Sequence, residues 1–384
     1  MDDKQFMGKD DDIYSAWKFA HHKKALEAVQ SRKAVGPVSV QIDPEGLCNH
    51  DCAFCSYRNA GWDERGMEFV EKSQISWSVM ERLIDELQKL GVKSVELTGG
   101  GEPTIYPYFS NLVKLLGETQ LEFAMVTNGT GLTQKRVDAI NPETARWIRF
   151  SMDSITQETH QKVHKTPGKQ FDKILEMIRC VERKKVEWHE DFRLGVSFVI
   201  VPENIHEIDK AAKFYRRFGI DNIRYSFTYD KNQDGRLTPE MRKDVFRRLE
   251  MAKSYETPEF RVFGWKSRLD DYAASNSKIG FCAYQYGTIA IGSDGGVWPC
   301  CITKYYPEHC LGNINQQTLH HILLGEQRKV DFNPVKCPPC WMANKIFFVK
   351  DLLDGTLEEG MTEEQKGAFQ QYMKKDNPPH VNYP

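Results

Sequence analysis

Cys48, Cys52 and Cys55 stand within eight residues, in Gly46-Leu47-Cys48-Asn49-His50-Asp51-Cys52-Ala53-Phe54-Cys55. Three thiolates on one short loop can hold three irons of a four-iron cubane, which normally takes four, and so leave one iron open to a further ligand. A structural zinc ion is the alternative, but a closed zinc site wants a fourth Cys or His, and the loop offers only His50. Set between ligands on a tight loop, His50 is expected to face solvent. In a second set, Cys282, Cys300, Cys301, Cys310, Cys337 and Cys340, the second member stands 18 positions after the first and the last stands 3 positions after the one before it. Such crowding favours metal ligation in a reducing compartment over disulfides. The remaining cysteine, Cys180, falls on a predicted helix and reads as a small buried hydrophobe.

The elements that must carry these groups alternate. Six β-rich runs precede residue 230: Val38–Asp43, Val92–Leu97, Leu121–Thr127, Trp147–Met152, Arg193–Val201 and Asn222–Phe227. Between the first two, Met80, Leu83, Ile84, Leu87 and Leu90 recur at helical spacing, Ser78 and Glu81 suit a capping box, and Gly91 suits a C-terminal stop. Similar helices are expected over 108–117, 133–140, 171–185 and 204–217. Strands alternating with helices imply parallel βαβ units, and the cysteine triplet then follows the first strand, at the strand end where α/β folds place their sites. Ile13 to Arg32 reads as one amphipathic helix, with Ile13, Trp17, Leu26 and Val29 available for packing. A charged helix near 238–254 follows the sixth strand. Thr288–Ile291 and Val297–Cys300 flank Ser293-Asp294-Gly295-Gly296 as a hairpin, and 346–384 carries one or two polar helices.

The 384 residues carry 52 Lys and Arg against 54 Asp and Glu, a formal charge of -2. That balance offers no footprint for a nucleic-acid backbone or an anionic membrane. The N-terminus lacks the basic and apolar regions of a signal peptide, and no run of apolar residues is long enough to span a bilayer. A cytoplasmic protein without a membrane partner is expected.

The spacing of three residues then two between the cysteines, with Phe54 before the last, resembles the signature of radical S-adenosylmethionine (SAM) enzymes. Thr98-Gly99-Gly100-Gly101-Glu102-Pro103, at the end of the second strand, resembles that family's Gly-Gly-Glu-Pro motif in sequence and position. The resemblance covers 36–230 and implies an α/β fold, a partial (β/α)6 barrel with a small C-terminal twitch-like α+β cluster-binding domain. It implies that Cys48, Cys52 and Cys55 ligate a SAM-cleaving [4Fe-4S] cluster, and that Gly100, Gly101, Glu102 and Pro103 contact the methionyl amine. Glycines let the backbone approach a ligand, and an ammonium group requires acceptors. Asn128, after the third strand, and Ser151 and Asp153, closing the fourth, carry over as contacts of the SAM carboxylate and ribose, with Phe54 beside them. Asn204 resembles the Pro-x-Asn found after the fifth strand, or else caps the following helix. The chemistry implied is formation of a 5′-deoxyadenosyl radical and removal of a hydrogen atom from a substrate C–H bond.

The second cysteine set, with its hairpin, a helix containing Leu319, Ile322 and Leu323, and Leu311-Gly312-Asn313-Ile314, resembles the twitch form of the SPASM region. The resemblance implies an auxiliary [4Fe-4S] cluster on Cys282, Cys300, Cys337 and Cys340; a zinc ribbon needs the same four thiolates and stays open on spacing. Cys301 and Cys310 are left as candidate hydrogen donors to a substrate radical, or as packing beside the cluster. The expected organisation is an N-terminal helical extension over 1–35, the barrel over 36–235, a helical linker over 236–275, the auxiliary cluster domain over 276–345 and a helical tail over 346–384. The expected substrate is a small molecule, a sugar, aminocyclitol or similar polar metabolite, undergoing oxidation, epimerisation or rearrangement. A peptide, or a nucleotide or nucleobase, is the alternative, and a zinc-stabilised binding protein the non-enzymatic one. An external one-electron donor such as flavodoxin or ferredoxin is the expected partner. Asp43, Tyr57, Arg58, Tyr225 and Tyr229 are candidate substrate contacts; Arg58 suits a carboxylate or phosphate, or plain surface solvation.

Overall fold

The structure is a computed structural model and describes residues 13–58, 66–166, 169–228, 237–264, 279–325, 337, 340 and 342–384. All six expected strands form, as β1 (Ser39–Ile42), β2 (Ser94–Leu97), β3 (Glu122–Thr127), β4 (Ala145–Ser151), β5 (Arg193–Ile200) and β6 (Asn222–Phe227). They pair in sequence order and all in parallel, the mark of a partial α/β barrel. A seventh parallel strand, β7 (Arg261–Gly264), extends the far edge beyond β6.

The expected hairpin of β8 (Thr288–Ile291) and β9 (Gly296–Trp298), in the auxiliary cluster region, forms and joins the barrel sheet: β8 pairs in parallel with β1, Val40 opposite Ile289, and β10 (Gly312–Asn313) closes that edge beside β9. One ten-stranded sheet therefore runs β10-β9-β8-β1-β2-β3-β4-β5-β6-β7. It brings the second cysteine set to the flank of the strand that carries the first.

Helices cover this sheet because their apolar residues recur on one face. Helix α2 (Trp77–Lys89), after α1 (Lys23–Ser31), buries Met80, Leu83, Ile84 and Leu87 almost completely. Each such side chain contributes about 1.5–3 kcal/mol on leaving water. Gly91 stops the helix at φ +76 as expected, but the capping box does not form. The helix starts at Trp77 and its N-cap is Ser76, without a side-chain bond. Next come α3 (Phe109–Gly117), α4 (Gln134–Asp138), α5 (Gln157–His164), α6 (Gln170–Lys184), α7 (Ile208–Arg216), α8 (Pro239–Lys253), α9 (Leu319–Leu324), α10 (Ala343–Asp354) and α11 (Glu363–Met373). Cys180 is buried on α6, as expected.

The N-terminal segment is not one helix. A 3-10 turn over Ala16–His21 breaks from α1 at His22, whose φ of -100 and ψ of 69 are not helical. The break lets Trp17 and Phe19 enter a second core with Val349 and Phe348 of α10 and Phe369 and Tyr372 of α11.

Candidate metal centres

The cluster loop leaves β1 at Asp43 and lies across the ends of its neighbours. Glu102 N donates to Leu47 O (2.8 Å), Asn128 Nδ2 to Asn49 Oδ1 (2.9 Å), and Asn49 Nδ2 to Thr130 Oγ1 (2.6 Å). On the other side Asp51 N and Ala53 N donate to His164 O (3.1 Å) and Val163 O (2.9 Å). These are among the last carbonyls of α5, which have no partner inside the helix, so the loop caps it. Arg58 ties the loop shut, donating to His50 O (2.9 Å) and Gly46 O (3.2 Å) and pairing with Glu71 (3.2 Å). Of the roles expected for Arg58, plain surface solvation is not seen: its side chain is 10% exposed, engaged by the loop carbonyls and Glu71, and it lines the cleft beside Cys48.

Cys48, Cys52 and Cys55 are half-buried, and burial pushes all three thiols up, Cys52 furthest, with Asp153, Cys55 and Cys48 adding to the effect there. Three desolvated thiols, Cys52 raised also by the two beside it, fit a cationic cluster, whose binding replaces their protons. Asn128 Nδ2 stands 3.8 Å from Cys48 Sγ, and Phe54 packs edge-on to the His164 ring at 6.0 Å. Of the three thiols, that of Cys48 lines a cleft of about 520 Å³, together with His50, Tyr57, Arg58 and Phe69.

His50 does not face solvent. It is 3% exposed, bonded through Nε2 to Gln170 Oε1 (2.7 Å), with its ring 5.0 Å from that of His164. The reason is α5, whose His160 and His164 lie four residues apart on one face and meet His50 beneath the loop. His164 Nδ1 lies 3.1 Å from Cys52 Sγ, and its Nε2 lies 3.4 Å from Asp153 Oδ2. Burial pushes Asp153 up to about 8 and His160 down to about 4, and holds His164 well below its usual value. Ligand atoms of His50, Cys52 and His164 lie within 4.8 Å of one another. Zinc would find here donors that the loop alone lacks.

The glycine motif is shaped first by protein contacts. A Cβ on Gly100 would come within 2.3 Å of the Phe69 ring, and one on Gly101 within 2.1 Å of Leu47 O. Glu102, 3% exposed, accepts from Thr104 N (2.9 Å), Thr104 Oγ1 (2.5 Å), Thr127 Oγ1 (2.5 Å) and Asn128 N (2.7 Å). A carboxylate has about four acceptor sites, and three of these donors converge on Oε1, so the room left for an ammonium group is on Oε2. Pro103 opens a short 3-10 turn. Ser151 is half-buried at the end of β4, near Ser197 Oγ (3.4 Å). Asp153, at φ +50, is fully buried and turned to Val199 N and His164. Asn204 braces its turn, accepting from Val201 N (2.9 Å) and donating to Asp153 O (2.9 Å) and Val199 O (2.8 Å), which is the capping alternative.

Two candidate substrate contacts are core residues instead. Tyr225 is fully buried and donates to Ile208 O (2.6 Å), and Asp43 is fully buried against Lys304. Tyr229 lies outside the described residues. Tyr57 is half-buried at the cleft, and burial pushes it up to about 12.

Cys282, Cys300 and Cys340 share a small buried cluster with Ile302 and Ile346. Burial first, then the neighbouring Cys300 and Cys282, raise the thiols of Cys337 and Cys340, so the four expected ligands lie together. The two remaining thiols part company. Cys301 is within electrostatic reach of the Tyr57 hydroxyl, whereas Cys310 is exposed and donates to Gly312 O (3.3 Å).

The profile of the radical SAM superfamily matches residues 46–215, and that of the SPASM iron–sulfur cluster-binding domain matches 282–342. The chain is 25% identical over 203 residues to the tungsten-containing aldehyde ferredoxin oxidoreductase cofactor-modifying protein of Pyrococcus furiosus, covering 52% of this chain and 52% of that one. It thus spans about half the length of that curated relative. It is 22% identical to the AdoMet-dependent heme synthase of Methanosarcina barkeri (72% and 78% covered) and 20% identical to the PqqA peptide cyclase of Gluconobacter oxydans (79% and 82%). Among solved structures the fold is similar to Streptococcus suis SuiB bound to S-adenosylmethionine (TM-score 0.60, 15% identity, 86% and 78% covered). It is also similar to native anSMEcpe with bound AdoMet and Cp18Cys peptide (TM-score 0.52, 15% identity, 84% and 99% covered).

Proposed function

Because the chain belongs to the radical SAM superfamily and carries a C-terminal SPASM domain, we propose that this enzyme modifies a peptide by radical chemistry. The observation that carries the radical part is the three-thiol loop stitched to the Gly99–Glu102 turn beside an open cleft. Held by these three thiols, an iron–sulfur cluster with SAM would supply the chemistry of a 5′-deoxyadenosyl radical, which removes a hydrogen atom from an unactivated C–H bond.

The chain's own residues prepare this. Cys48, Cys52 and Cys55 would hold the SAM-binding cluster, with Asn128 aimed at Cys48. Gly100, Gly101, Glu102 and Pro103 would present acceptors to the methionyl amine, and Ser151 would serve the ribose side. Phe54 packs on the His164 ring beneath the loop, and Phe69 lines the cleft. Cys282, Cys300, Cys337 and Cys340 would hold a single auxiliary cluster, and a flavodoxin- or ferredoxin-like donor would supply electrons. Of the two thiols left over, Cys301, within electrostatic reach of Tyr57, is favoured over exposed Cys310 as the hydrogen donor. The working parts are the barrel over 36–235 and the cluster region over 276–345.

A peptide substrate is favoured over the small polar metabolite by the relatives. The PqqA peptide cyclase aligns along most of both chains, and both structural neighbours include peptide-bound forms. A small polar metabolite stays as a second reading, since a cleft of about 520 Å³ also suits one small ligand.

The reconstituted, reduced protein is expected to convert SAM to methionine and 5′-deoxyadenosine, and Cys52→Ala to abolish this; cleavage that survives the substitution would remove the assignment. Perdeuterated peptide pools and perdeuterated sugars, offered in parallel, separate the substrate classes. Deuterium in 5′-deoxyadenosine from the peptides alone is expected, and deuterium from the sugars alone would select the second reading.

A further inference from the structure

The end of β1 and the loop after Cys300 meet in a buried charged cluster that the roles above leave unused. Asp43 is fully buried, and its Oδ2 accepts from Gly100 N (2.8 Å), Tyr305 Oη (2.9 Å) and Lys304 Nζ (2.5 Å). Its Oδ1 is buried without a hydrogen-bond partner. Lys304 is 2% exposed as a side chain, and its ammonium lies 5.1 Å from the centre of the Tyr57 ring. Burial alone would lower Lys304, but Asp43 and Tyr57 outweigh it and keep the ammonium charged.

Tyr305 adds a second mark of specialisation. It sits at φ +67, a conformation that costs a non-glycine residue energy and persists only where its surroundings impose it. Its ring packs against Tyr57 (5.7 Å), Phe69 (5.0 Å) and Trp298 (5.1 Å), and its carbonyl accepts from Glu68 N (2.7 Å). An apolar filling would close this space at no greater cost than a buried ion pair, so the pair is not explained by stability.

Its connections are more telling. Lys304 comes four residues after Cys300, in the loop of the second thiol set. Asp43 precedes the Cys48 loop and holds the amide of Gly100, and Tyr57 follows Cys55 by two residues. We propose that the Asp43–Lys304 ion pair is a positioning device that fixes the SAM-binding turn from the auxiliary cluster's loop, so that occupancy of the second metal site is felt as SAM affinity at the first. The inference rests on the radical SAM reading and deepens it. Asp43 and Lys304 are positioning residues, acting through Gly100 and Tyr57.

The test measures SAM affinity by equilibrium dialysis, and iron per chain, for anaerobically reconstituted full-length protein. The variants are Lys304→Met, the auxiliary-site pair Cys337→Ala/Cys340→Ala, and their combination. Lys304→Met with all its iron should bind SAM about tenfold more weakly or worse, within the range of ordinary coupling between sites. The auxiliary-site variant should lose a similar factor, and the combination little more than either, as expected of changes acting through one contact. Should Lys304→Met fail to fold or to hold iron, Asp43→Asn/Lys304→Met, which leaves no unpaired charge, carries the same test. Wild-type SAM affinity in an iron-replete variant, or losses that simply add, would overturn the proposal. Absence of SAM binding by the wild type would instead overturn the functional reading, and this inference with it.

Discussion

Glu102 shows how one side chain serves both fold and site. Its carboxylate accepts from Thr104, Thr127 and Asn128, and so joins the turn after β2 to the end of β3. Glu102→Gln turns one acceptor into a donor facing Asn128 N–H. A loss of about 1–3 kcal/mol of stability is expected from the unmet groups, read by urea unfolding, together with weaker SAM binding. Asp153 makes a prediction of different sign. Its folded pKa of about 8 lies above the usual carboxylate value, so the stability linked to its proton is complete below the unfolded pKa and is lost as pH rises through about 8. The wild type should therefore lose stability between about pH 5 and 8, within the window between the unfolded and folded values of this group, and Asp153→Asn should lose less over the same interval. Equal losses in the two proteins would show that Asp153 is ionised throughout.

At the scale of elements, the cluster loop depends on close backbone crossings. Gly101→Ala would drive a methyl into Leu47 O and Glu45 O. Crowding backbone rather than a flexible side-chain end should cost about 1–3 kcal/mol, and the variant should lose iron from the first site while keeping it at the second. Much of this geometry was legible in advance. The six strands and the placement of both motifs at strand ends follow from alternating apolar runs, which report burial directly. The helix α5 was missed because its polar sequence, Gln157-Glu158-Thr159-His160-Gln161-Lys162-Val163-His164, buries little that is apolar. With it went the histidines that bury His50, although His160 and His164 at helical spacing were the available signal. Lys304 and Tyr305 were missed for another reason. A charged residue carries no sign in sequence that its partner, Asp43, waits across 261 positions of chain. The pairing of β8 with β1 is equally non-local, and sequence patterning gives strands without their neighbours.

Over the whole molecule, the last described residues are built into the base of the sheet together with the segment around Lys18 and His22. His380 Nε2 meets Asp191 O (2.8 Å), His22 Nε2 meets Val381 O (2.9 Å), Lys18 Nζ donates to Tyr383 O (3.1 Å), and Ser94 Oγ donates to Asn382 O (2.5 Å). Removing residues 379–384 should therefore cost about 2–4 kcal/mol at about 1 kcal/mol per bond, seen as a lower Tm with iron content unchanged. A lower iron content would mean that the tail also shapes the metal sites. No helix among the described residues is long and apolar enough to cross a membrane. The continuous sheet places both thiol sets on one frame, Cys48 after β1 and Cys300 after β9, with β8 between them.

The most direct measurement is iron, sulfide and zinc per chain after anaerobic reconstitution, for the wild type and for a variant with Cys48, Cys52 and Cys55 changed to Ala. Two four-iron clusters predict about eight irons per chain, falling to about four in the variant, with matching sulfide. Zinc in place of iron at the first site, held by Cys52 with His50 and His164, would contradict the radical mechanism, and zinc at the second would remove the auxiliary cluster.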